Sequence, residues 1–300
     1  MSFWGHVSGM EISTSLLFNA IIAGLLLGGF YAAVSVGVSI SFGMLDVVNI
    51  AHPAFILLGS YIAYYVNSQL GFDPIVVSLV LSPLFFLLGM ALYRVYYLCF
   101  EKRGQEALRG LAFFFGILFI TEVALILVFG VDYRTVQTVY ADTTLRLGEL
   151  DFPLRLVVPF LVSVAMVVGL QLYFTHTFFG RAVLAVAQDP FALRLMGVNP
   201  VRIKELAFAL SIATAGVAGA FLIVIQPVQP SIGREYIGLT FAVCVLGGMG
   251  SIWGTLLGAF VLGLAESFTS TFFGPSWAPA VSFGLLLLTL AFRPSGLFGR

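Results

Sequence analysis

Charge is scarce in this chain. Only 9% of its 300 residues are Asp, Glu, Lys or Arg, against roughly 25% in an average soluble domain. The 14 basic residues are matched by 14 acidic ones, so no field exists to hold a polyanion and nucleic acid is not expected as a partner. Cys99 and Cys244 stand alone, with no CxxC spacing and no His beside them, so packing is expected of them rather than a disulfide or a thiolate metal site. The histidines at positions 6, 52 and 176 share neither a helix face nor a loop, and no Ser/His/Asp or Cys/His arrangement stands out. No catalytic site, metal site or cofactor is therefore expected. Lys102 and Lys204 are the only lysines, and neither follows a glycine loop or precedes Ser or Thr, so the phosphate cradle of a P-loop is missing. No Lys or Arg precedes Arg94, which removes the basic start of a cleavable signal peptide and predicts that the first apolar run stays. The side of the membrane on which the chain starts is left open.

What fills the chain instead is apolar: 60% of residues are hydrophobic and the mean hydropathy is +1.06. A helix rises about 1.5 Å per residue through a hydrocarbon layer about 30 Å thick, so about 20 apolar residues make one crossing. The runs lack the period-2 alternation of a membrane barrel, so helices must satisfy the backbone. The expected fold is all-α: one polytopic transmembrane domain over 1–300, with eight or nine membrane segments. The uncharged interval between Glu11 and Asp46 predicts one tilted span followed by a broken piece. Further spans are expected over about 50–70, 74–93, 110–131, 156–179 and from Leu206 toward "QPVQP". Beyond Tyr236, a Gly-interrupted piece through "VLGGMGSIWG", a span through "GTLLGAFVLGLAESF" and a last span from Ala278 complete the count. Gly24 with Gly28, Gly254 with Gly258, and the Ala215-Gly216 and Gly219-Ala220 pairs predict close helix packing.

The basic residues set the orientation. The connection 94–109 and the segment 180–205 are the two strongly basic loops, and an even number of spans separates them, so both are expected in the cytoplasm. The loop 132–155 then lies outside, and Arg293 and Arg300 favour a cytoplasmic C-terminal end. Within 180–205, Asp189-Pro190 is a helix start and Gly197 a helix stop; Asn199-Pro200 repeats the start. A helix this short is marginal in water and needs a surface to dock on. Its residues Phe191, Leu193, Leu195 and Met196 form an apolar ridge, with Arg181 and Arg194 nearby, which fits either the lipid headgroup layer or a protein partner.

The stretch "GRAVLAVAQDPFALRLMGVNPVRIKELAFALSIATAGVAGAF" closely resembles the cytoplasmic loop of the permease subunits of branched-chain amino acid ABC importers. "GLLLGGFYAAVSVGVSISFGMLDVVNIAHPAFILLGSYIAYYV", "AVCVLGGMGSIWGTLLGAFVLGLAESF" and the closing "RPSGLFG" resemble the same family in the same order. Pro53 and Ala54 stand where that family usually shows Gly and an acidic residue. The resemblance implies a permease subunit in a bacterial-type inner membrane that carries branched-chain amino acids or a related small polar organic such as urea. It further implies separate ATPase subunits, a second permease subunit and an extracytoplasmic substrate-binding protein. Arg181, Asp189, Phe191, Leu193, Arg194, Leu195 and Gly197 would then form the ATPase-coupling element.

The competing reading is an ion-coupled secondary transporter or channel, for which ionisable groups inside the membrane would be the evidence. Glu122 is the sharpest candidate, deep in "FFFGILFITEVALILVFG" with no Lys or Arg near it in sequence. It is expected either to line the translocation path or to bridge two helices. Glu266 reads as structural. Asp46, Asn49 and His52 cluster at a break between spans; Asn49 and His52 are further candidates for the path, and capping or packing is the other reading of them.

Overall fold

The computed structural model describes residues 14–104, 106–148 and 150–299. His6, Glu11 and Arg300 lie outside the described residues. Eleven helices are present among those residues: α1 (Thr14–Ser41), α2 (His52–Leu70), α3 (Pro74–Cys99), α4 (Glu106–Phe129), α5 (Leu154–His176), α6 (Phe178–Gln188), α7 (Pro190–Leu195), α8 (Pro200–Ile225), α9 (Gly233–Gly247), α10 (Ile252–Phe272) and α11 (Ala278–Phe292). Seven spans are long and apolar enough to cross a membrane: α1, α3, α4, α5, α8, α10, and α11 taken with the turn at 275–277 that leads into it. α2 and α9 pack among them. Among the described residues the helices are joined by a hairpin of β1 (Thr144–Leu147) and β2 (Leu150–Pro153), which turns at Gly148 with φ +66°.

Helix starts follow local chemistry. Asp73 accepts from the Ile75 N–H at 2.9 Å and Pro74 occupies the first turn, where its missing donor costs nothing. Asn199 and Pro200 do the same for α8, with 3.0 Å from the Val201 N–H to Asn199 Oδ1. Here the sequence reading is corrected: the sixth span begins at Pro200 rather than Leu206. The helix continues below the apolar run because Lys204 is held by Glu101 at 2.7 Å, across from the end of α3. Thr177 ends the fifth span earlier than expected and caps α6, its hydroxyl accepting from the Gly180 N–H at 3.1 Å.

The broken piece after α1 is residues 42–51. It turns back from the end of α1 so that α2 starts deep in the bundle, where the His52 ring meets the Val34 carbonyl of α1 at 3.2 Å. Asp46 makes part of that turn in the left-handed region, φ +57°. The second break, between α9 and α10, needs Gly248 at φ +101°, and residues 296–299 close over it: Leu297 N–H donates to Leu246 O at 2.9 Å and Phe298 N–H to Gly247 O at 3.1 Å. Gly43 of the first break lies against Gly250 of the second.

The centre of the bundle is α1 and α8. α1 crosses α10, and α8 runs between α2 and α3, buried along nearly its whole length. These crossings are backbone against backbone. A Cβ added at Gly28 would stand 2.8 Å from the Phe260 Cα, and one added at Gly89 would stand 2.7 Å from the Ala209 Cα. Between α2 and α8, Gly59 faces the Gly216 carbonyl and Gly219 faces the Ile56 carbonyl, while the Ser60 hydroxyl donates to Gly219 O at 2.6 Å. In lipid such contacts supply the packing that apolar burial supplies in water. Gly219→Leu is therefore expected to cost at least the about 1–3 kcal/mol typical of an overpacked core. Loss of the monodisperse peak in detergent size-exclusion would report it; a normal peak and melting temperature would contradict it.

Candidate functional site

One end of the bundle carries α6 and α7. Asp189 accepts from the N–H groups of Phe191 and Ala192, both at 2.9 Å, and Gly197, at φ +80°, stops the helix. Val198 N–H donates back to Leu193 O at 3.2 Å. This lashing turns the two faces of α7 in opposite directions. Leu193 is only 3% exposed and anchors the helix, whereas Phe191, Leu195 and Met196 are 68%, 75% and 69% exposed. The apolar ridge read from sequence is thus corrected: Leu193 belongs to the anchoring face. Arg181 and Arg194 are exposed on the same end. α6 was not anticipated as a helix of its own. Its signal is Thr177 as cap followed by Ala182, Val183 and Val186 at helical spacing, all buried. Beside α6, a cavity of about 560 Å³ is lined by Gln171, Thr175, Gln188 and the Gly250 backbone.

The opposite end holds the second group of charged residues. Glu122 is buried in α4 and bound twice by Arg234 from the first turn of α9: Nε donates to Oε2 at 3.0 Å and Nη2 to Oε1 at 2.5 Å. Two parallel N–H···O bonds fix the guanidinium plane as well as compensating the charge. No partner for Glu122 was visible in sequence, because 112 positions separate it from Arg234. Glu266 of α10 is also buried and accepts hydroxyl hydrogen bonds from Tyr31 of α1 and Ser282 of α11, so it ties three helices together. Above it a cavity of about 420 Å³ is lined by Tyr31, Gln226, Arg234, Glu235, Tyr236 and Glu266, among others. Arg234 and Glu235 share this cavity with Glu266, a grouping that no spacing in the sequence displays.

Asn49 and His52 lie in neither cavity. Both are fully buried at the first break. Asn49 Oδ1 accepts from the Ala51 N–H at 3.1 Å within the turn that leads into α2, and His52 Nε2 donates to the Val34 carbonyl. Asn49 Nδ2 and His52 Nδ1 have no partner among the described residues. Cys244 is buried with its thiol toward the Ser35 carbonyl at 3.3 Å, and Cys99 is exposed.

A bundle with seven helices long and apolar enough to cross a membrane, broken twice at glycine, with a lashed short helix at one end, is the setting for the comparison with known proteins. The family model described as the branched-chain amino acid transport system, permease component, matches residues 20–290. The chain belongs to that family. It is 30% identical over 293 residues to the high-affinity branched-chain amino acid transport system permease protein BraD of Pseudomonas aeruginosa, covering 93% of this chain and 95% of BraD. Against the permease protein LivH of Salmonella typhimurium the identity is 27% over 288 residues, covering 92% and 94% of the two chains. The permease protein LivM of the same organism shares 36% identity over 120 residues, 39% of this chain and 28% of LivM. This member of the family is thus an ABC-transporter permease component of the inner membrane, and its part in transport is to form the translocation path.

Proposed function

We propose that this chain imports branched-chain amino acids, or a closely related small polar organic, with energy from separate ATPase subunits that dock on α7. The observation that carries the reading is the helix itself. A six-residue helix with Phe191, Leu195 and Met196 turned outward is too short to be stable alone and too rigidly lashed to be a loose surface turn. Exposed apolar surface held this firmly fits a cleft in a partner. The absence of a P-loop motif in the sequence is consistent with ATP hydrolysis taking place on other subunits.

Orientation follows from the cations. Arg94, Lys102, Arg103, Arg109, Arg181, Arg194, Arg202, Lys204 and Arg293 gather toward the α7 end, against Arg134, Arg146, Arg155 and Arg234 toward the other. The positive-inside rule makes the α7 end cytoplasmic and the β1–β2 hairpin extracytoplasmic. Asn19 Oδ1 accepts from the Asp151 N–H at 3.0 Å, so α1 starts on the outer side. A binding protein would deliver substrate at the hairpin end. Closure of the ATPases would push α7, whose anchor Leu193 passes the motion to α6 and α8, and shift the bundle between outward-open and inward-open states. A second permease subunit, homologous to this one, would complete the path. For an ion-coupled carrier, Glu122 is a poor candidate: Arg234 already neutralises it.

The test is a pull-down of the tagged chain from native membranes in mild detergent, with mass spectrometry of the bound proteins and leucine uptake in liposomes. ATPase subunits, a sister permease and ATP-dependent uptake are the expected result. A chain that comes out alone and transports without ATP would overturn the reading.

A further inference from the structure

The cavity of about 420 Å³ lies at the hairpin end, away from the coupling helix, and gathers acidic, basic and hydroxyl side chains. We propose that it is a binding site for a free α-amino acid in its zwitterionic form, with a branched aliphatic side chain. The proposal deepens the permease reading and rests on it for the identity of the ligand.

The site offers both signs of charge at fixed positions. Glu266 accepts one hydroxyl on each oxygen, from Tyr31 and Ser282, which leaves about half of a carboxylate's four lone-pair sites for an ammonium group. Glu235 stands at the same rim, more exposed. Arg234 spends Nε and Nη2 on Glu122, so its plane is fixed and its Nη1 is without a partner among the described residues. Tyr236 accepts from Gln226 Nε2 at 2.9 Å, which leaves its own O–H free to donate. Arg234 and Tyr236 are thus donors for a carboxylate, in the same cavity as acceptors for an ammonium group. Both lie in the first turn of α9, which has no side-chain cap, so the positive end of that helix adds to their preference for an anion. Leu239, Pro279 and Phe283 supply an apolar wall.

The alternatives fit less of this. A bare cation would leave the Arg234 Nη1 and Tyr236 donors without an acceptor; a carboxylic acid without an amine would face Glu266 and Glu235. The volume falls within the about 300–1,000 Å³ usual for small-molecule sites. Glu122 then has a defined part as the positioning residue that aims Arg234.

The experiment uses the assembled transporter carrying Ala278→Cys in a Cys99→Ser background, since Ala278 lines the cavity and Cys244 is buried. The rate of modification by a membrane-impermeant maleimide is measured with L-leucine, isopentylamine or isocaproate, and leucine uptake by the unmodified transporter is measured alongside. L-leucine is expected to slow modification several-fold, and neither single-charge analogue is expected to do so at the same concentration. Glu266→Gln, or Glu235→Gln at its exposed position, should remove most of the protection. Uptake without protection would overturn the site and keep the permease reading. Protection without uptake would keep the site and overturn the proposed import of leucine. Protection by isopentylamine equal to that by leucine would overturn the zwitterion assignment.

Discussion

Replacing Phe191 and Leu195 together by Glu is expected to strip the ATPase subunits from the purified chain while leaving its melting temperature in detergent nearly unchanged. Both side chains are largely exposed in the isolated chain, so the bundle loses little when they become charged. At an interface, each apolar anchor is worth about 2 kcal/mol or more. Losing both would weaken docking roughly a thousandfold, beyond what survives a wash. The contrasting control is Leu193→Ala. That side chain is buried against the bundle, and truncating it should cost about 2–5 kcal/mol of packing, visible as a lowered melting temperature. Unchanged co-purification by the double Glu variant would mean that α7 serves the membrane surface instead.

The second large effect is expected at the Glu122–Arg234 pair. Arg234→Gln leaves a buried carboxylate without its guanidinium and should destabilise the chain most. Glu122→Gln leaves a neutral amide facing an arginine that still reaches water, and should cost less. The double variant Glu122→Gln with Arg234→Gln is expected to melt above Arg234→Gln alone, because the uncompensated charge is gone. Three melting curves decide it. Additive losses would mean that the two side chains do not depend on each other, and that Arg234 is held by other contacts.

The spans were legible because twenty-odd apolar residues between charges leave few alternatives, and the short helix was legible because Asp189, Pro190 and Gly197 are local signals. Which of its residues face out was not: Leu193 and Leu195 have the same chemistry, and only the tertiary packing on α6 and α8 separates them. Glu122 shows the same limit more sharply. Its environment depends on Arg234, more than a hundred positions away, and no spacing rule reaches that far. The cavity around Glu266 draws on α1, α8, α9, α10 and α11, so no single stretch of sequence could display it.

The clamp of residues 296–299 over the glycine turn at Gly248 bears on how the protein is made. During synthesis, α9, the turn and α10 leave the ribosome well before the residues that close over them. Until those residues arrive, the carbonyls of Leu246 and Gly247 lack the partners they have in the finished bundle. The turn between α9 and α10 is therefore expected to be less firmly closed until those residues are added. Nascent chains halted before Gly296 should be more open to membrane proteases than chains released only slightly later.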